Sequence, residues 1–187
     1  MVTGGLKLGA ALCAVVVVVA VGVAALLVRD AGSPRDTFPQ LDAAALSPSA
    51  RSVIDVLRVQ YDSQPPGEHF SEGVSEPWCA DFVSWVLNEA GQPLANPNSG
   101  HWRIPGVYTL QEYFQAAGRF ADAGHRPQVG DVALYAEGSP MGLHTNFVVA
   151  VDDNTITTVG GNEEGGIRVR SFTPGPAAGL LGYGRLV

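Results

Sequence analysis

The chain has 187 residues, with 18 acidic against 11 basic side chains and a formal charge of −7, which is enough for one folded domain plus an appendage. Lys7 is its only lysine, and residues 36–187 hold eight arginines against seventeen acids, about −9, with no basic patch interleaved with aromatics. That balance repels phosphate backbones and anionic lipid at long range and excludes nucleic acid as a partner.

Leu8 to Val28 is an uncharged apolar run of 21 residues between Lys7 and Arg29, the length a helix needs to cross a bilayer. The expectation is a single transmembrane anchor over residues 1–29. A cleaved secretory signal and a buried globular helix are the alternatives. A signal core is shorter and ends at a small-residue cleavage site, which Ala24-Ala25-Leu26-Leu27-Val28-Arg29 lacks. Lys7, Arg29 and Arg35 give no clear vote on orientation. A single N-terminal span before a folded domain leaves that domain outside, so the expected location is the cell membrane with the domain on the extracytoplasmic side. Cys13, inside the run, reads as apolar filler. Residues 30–46, with Gly32, Ser33, Pro34 and Pro39, read as a linker, and residues 47–187 as one domain.

Ser47 and Pro48 open a first predicted helix running to about Tyr61, with Val53, Val56, Leu57 and Tyr61 on one face. Ser63–Pro77 reads as a long loop. A second helix runs from Cys79 to Ala90 and stops at Gly91; its apolar residues go almost all the way round, as in a helix buried in a core. Thr109-Leu110-Gln111-Glu112 reads as a capping box opening a short helix that ends at Gly118. Strands are predicted at Val132–Ala136 and Thr145–Val151, then after an Asp152-Asp153-Asn154 turn at Thr155–Val159, where Gly160-Gly161 breaks the pattern. Ile167–Arg170 and Tyr183–Val187 follow. Helices first and strands later predict an α+β domain with an antiparallel sheet.

Cys79 is the only cysteine outside the apolar run, so its own domain offers no disulfide partner. A thiol at a helix start suits a nucleophile: the positive end of the helix dipole favours a thiolate, and unpaired N–H groups there can hold an oxyanion. A buried structural cysteine is the competing reading. His144, at the mouth of a strand behind the Glu137–Gly142 loop, is the candidate base. Asn162, after Val159-Gly160-Gly161, is the candidate third member, able to fix the ring's tautomer. Glu163 and Glu164 are rival orienters. One cysteine and scattered histidines do not make a zinc site, so neither a metal nor a cofactor is expected.

Four stretches in order, Trp78–Leu87 with Ala90-Gly91, Pro127–Tyr135, His144 with Phe147–Val151, and Val159–Asn162, resemble a CHAP domain. These are cysteine- and histidine-dependent amidohydrolases and peptidases with a papain-like α+β fold. The resemblance implies N-terminal helices packed on an antiparallel sheet, here behind a transmembrane helix. It implies a bacterial cell-wall hydrolase acting on peptidoglycan, either an N-acetylmuramoyl-L-alanine amidase or a peptide endopeptidase. Carried over, Cys79 is the nucleophile, His144 the base and Asn162 the orienter. Two departures stand out: Trp78 precedes the cysteine where many members have Gln, and Gly160 stands where many have Glu. Trp78, Trp102 and Tyr135 are candidate substrate-binding rings. The expected partners are peptidoglycan and, through the anchor, the membrane, with the protein a monomer. A non-catalytic wall-binding or scaffold protein and an acyl transferase on the same scaffold are the alternative functions.

Overall fold

The computed structural model describes Met1 and residues 37–186. The expected anchor over 1–29 and the linker as far as 36 therefore lie, Met1 apart, outside the described residues. Among the described residues no helix is long and apolar enough to cross a membrane. The described residues from Thr37, ahead of the expected domain start at 47, belong to the same compact unit as the helices and sheet. Phe38 is buried, edge-on to Tyr61 at 5.6 Å and beneath the Arg58 guanidinium at 4.5 Å, and Leu41 and Leu46 pack against the same core.

Among the described residues three α-helices come before the sheet: α1 at Pro48–Ser63, α2 at Cys79–Glu89 and α3 at Val107–Ala116. Six strands follow: β1 Phe120–Asp122, β2 Val132–Tyr135, β3 His144–Asp152, β4 Thr155–Glu163, β5 Gly166–Phe172 and β6 Leu180–Gly184. They form one sheet in the order β1-β6-β2-β3-β4-β5, antiparallel throughout, which makes the domain α+β.

Ser47 caps α1 by accepting from the Ala50 N–H at 3.1 Å, and Gly91 (φ 75°) follows the end of α2. The third helix departs from expectation. It starts at Val107, so Thr109 lies inside it and the first turn has Gly106 as an uncapped boundary. Eight of the eleven residues of α2 are buried, which explains its all-round apolar sequence. Phe82, Val83 and Val86 meet Phe147, Val149 and Val159 of the sheet in the main core; each such side chain contributes about 1.5–3 kcal/mol. Ala133, Tyr135, Val148, Ile156 and Tyr183 make a smaller cluster of their own.

The strand predicted to stop at Val159 does not stop. β4 runs through both glycines to Glu163, because each glycine lets a neighbour come where a side chain would stand. A Cβ on Gly161 would collide with the Trp78 and Phe82 rings of the α2 region, and one on Gly160 with the Glu163 carboxylate.

Candidate active site

The nucleophile candidate sits at the first residue of α2, buried and free of any disulfide. Trp78, the residue before it, has no side chain that can cap the helix, so no cap occupies the N–H groups of the first turn. The indole is buried: it stacks on Phe70 at 5.2 Å and meets Phe82 edge-on at 6.2 Å. It leaves almost no face for a ligand, contrary to its expected substrate-binding role. Tyr135, expected in the same role, is 1% exposed and donates its hydroxyl to Asn146 Oδ1 at 3.2 Å. Trp102 is half-buried, with its ring 5.3 Å from that of His101.

His144 opens β3 opposite Tyr135 in the register, and it is buried. Cys79 is close enough for its charge to act on the ring. The ring's Nε2 is 3.0 Å from Glu163 Oε1, which leaves Nδ1 free of that carboxylate. Burial works against the imidazolium, but the neighbouring Cys79 and Glu163, with the charges of both, outweigh it and push the ring's pKa up to about 9.

The ring's partner is thus Glu163 and not the expected Asn162. The reason is a β-bulge. Gly160 pairs with Arg168 and Glu163 with Gly166, so Gly161 and Asn162 together face Ile167 alone. Asn162 takes up the extra residue in a left-handed conformation, φ 60°, which asparagine tolerates. Its amide makes no hydrogen bond to His144, while the next residue along is turned in. Sequence alternation without the bulge cannot say which of 162 and 163 faces the histidine. Gln64, the left-handed residue ending α1, supports the bulge from outside. It accepts from the Ile167 N–H and donates to the Ile167 carbonyl, both at 3.0 Å.

Glu163 is itself surrounded by donors. Oε1 also faces Asn146 Nδ2 at 3.4 Å, and Oε2 accepts from Arg170 Nε at 2.6 Å. The sequence reading missed both Asn146 and Arg170; the even spacing of His144 and Asn146 along one strand was the available signal for the first. A cavity of about 380 Å³ beside these groups is lined by Pro140, Met141, His144, Asn162, Glu163, Glu164 and Arg170. A larger one of about 570 Å³, between segments 123–127, 151–156 and 174–180, touches none of the candidate catalytic residues.

A second buried carboxylate lies in the first turn of α2. Asp81 Oδ1 is 2.7 Å from Arg103 Nε, an ion pair whose atoms are off the hydrogen-bonding line, and Arg103 also pairs with Glu76. Burial, opposed by Arg103 and assisted by Glu76, lifts the Asp81 pKa to about 6.

The family model of the CHAP domain matches residues 71–162. Two solved structures of Ly7917 resemble the fold at 17% identity, one of them titled as holding the hydrolyzing product of MDP, with TM-scores of 0.49 and 0.47. Each alignment covers 72% of this chain and 61% of that one, so this chain matches less than two thirds of its neighbour's length. No curated protein sequence matches the chain.

Proposed function

We propose, from the premise that residues 71–162 of this chain are a CHAP domain, that the protein is a peptidoglycan hydrolase cleaving an amide bond of the cell wall by a thiol mechanism. The observation that carries this reading is one buried imidazole hydrogen-bonded to a buried carboxylate, with a helix-start cysteine near enough for its charge to act on the ring. Those are the relations a thiol nucleophile, its base and an orienting acceptor require.

His144 takes the Cys79 proton, and the sulfur attacks the amide carbonyl carbon. The uncapped N–H groups of the first turn of α2 hold the oxyanion. As the tetrahedral intermediate collapses, the C–N bond breaks and the imidazolium gives its proton to the leaving amine. Water, deprotonated by the same ring, then attacks the thioester and frees the acid and the thiol. Glu163 keeps the ring turned toward sulfur and stabilises its charged form. The bond cut is either the muramoyl–L-alanine amide or a peptide bond of the stem or cross-bridge. The domain works outside the cytoplasmic membrane, held near the wall by the N-terminal segment.

Digestion of purified sacculi by residues 36–187, with identification of the new chain ends, tests the reading. The wild-type domain releases new amino ends, and C79A and H144A, folded by thermal melt, release none. Wild-type rates from either variant would sink the thiol mechanism.

A further inference from the structure

The guanidinium of Arg170 is the least explained feature of the cleft. It lines the cavity beside His144, yet it donates from Nε to the buried Glu163 at 2.6 Å and from its terminal NH2 to the exposed Glu164 at 2.9 Å. The two acceptors sit on either side of the inside–outside boundary. Glu163 ends β4, whereas Glu164 (φ 50°) and Gly165 (φ 74°) form the two-residue turn into β5. Arg170, on β5, thus reaches back across its own hairpin. Its side chain is 40% exposed, whereas that of Glu163 is 3% exposed.

A carboxylate this buried needs donors at both oxygens. Oε1 has His144 and a long contact to Asn146; Oε2 has Arg170. Without the guanidinium, Oε2 is left without that donor and the carboxylate is free to swing off the ring. Charge matters as well as direction. The groups facing His144 are Cys79 from α2, Tyr135 from β2 and Glu163 from β4, with Arg170 and Glu164 behind Glu163. Arg170 is the one fixed cation of that set, and it offsets part of the negative charge that the imidazole feels.

Resting on the thiol reading above, we propose that Arg170 is a positioning residue: it locks Glu163 against His144 and sets the pH range over which the thiol–imidazole pair operates. Removing the cation leaves the anion beside His144 unopposed, so the imidazolium persists to higher pH.

The test is R170Q, with R170K and E164Q beside it, in the 36–187 domain. The readouts are the NMR titration of His144 and the pH profile of Cys79 alkylation by iodoacetamide, neither of which needs a wall substrate. R170Q raises the His144 midpoint by on the order of half to one unit and moves the alkaline limb of alkylation with it. R170K, which keeps the charge, returns the midpoint toward wild type. E164Q removes an anion and frees Arg170 for Glu163, so its midpoint falls. A folded R170Q titrating as wild type overturns the proposal. If R170Q does not fold, an unmoved midpoint in E164Q overturns it instead. Failure of the wild-type domain to digest sacculi, with these titrations as expected, would count against the proposed substrate alone.

Discussion

Two buried carboxylates flank the nucleophile, and each has an arginine beside it, but they are held differently. Glu163 meets His144, Asn146 and Arg170, with donors at both oxygens. Asp81 has Arg103 at ion-pair distance but off line, neither oxygen has a well-aligned hydrogen bond, and its pKa rises to about 6. Proximity of opposite charge is therefore not what makes a buried carboxylate useful. Donors aimed at both oxygens fix an orientation; a charge nearby only offsets part of the desolvation. The first arrangement can direct a catalytic ring, whereas the second ties the segment around Arg103 to the helix. Ser84 assists that tie by accepting from the Ile104 N–H at 3.1 Å.

The contrast can be broken by neutralising each acid in turn. E163Q cuts sacculus hydrolysis by about 10²–10⁴-fold, because an amide presents the ring with the wrong donor pattern and no charge. D81N, in the same assay, stays within about threefold of wild type. Equal losses in the two variants would erase the distinction drawn here.

Crowding sharpens it further. In G160A the added methyl meets the Glu163 oxygen and the Asn146 Cβ, so the carboxylate must leave its place. The domain loses about 1–3 kcal/mol by denaturant unfolding, and hydrolysis falls with it beyond what the unfolded fraction explains.

On the other side, R103L strands Asp81 and costs about 2–4 kcal/mol at neutral pH. The penalty shrinks below pH 6, where Asp81 accepts a proton. The sign follows from linkage: an acid raised from its ordinary 3.8 to about 6 binds its proton more tightly when folded, so its contribution to stability falls as pH rises between those values. His144 has a separate window. Raised to about 9, it stabilises the fold fully below its ordinary 6.5 and loses that contribution as pH climbs through 9. Urea midpoints of wild type, D81N and H144Q from pH 4 to 10 separate the two windows. A wild-type profile flat across both would contradict both assignments.

The smallest effect belongs to N162G. Glycine accepts the left-handed conformation at least as well as asparagine, so the bulge persists. His144 in this variant titrates as in wild type, whereas in E163Q its midpoint drops. A drop in N162G instead would return the orienting role to Asn162.

Much of this was legible in the residues themselves. Periodicity and caps gave α1 and α2 nearly to their ends, and the change from helical to alternating pattern gave an antiparallel sheet after the helices. A lone cysteine at a helix start and a histidine at a strand mouth are local features, so the sequence singled out Cys79 and His144, and in the structure the charge of the one acts on the ring of the other. The three-residue β1 escaped notice because so short a strand carries no alternation to read. Two of the three aromatic candidates are buried for a related reason: a tryptophan or tyrosine has the same letter whether it lines a groove or fills a core, and Trp78 and Tyr135 fill cores whereas Trp102 is half-buried.

What the chain settles by itself is the order of its elements and which residue types stand at their ends, since caps, glycines and apolar periods act over a few neighbours. Which of two adjacent side chains meets the imidazole is another matter. It turns on one extra residue in β4, and that bulge exists because Gly160 and Gly161 yield space to a carboxylate and to an indole, with Gln64, a hundred residues upstream, bonded to the strand opposite. Only packing across the sheet carries that information, because strand alternation reverses with a slip of a single residue.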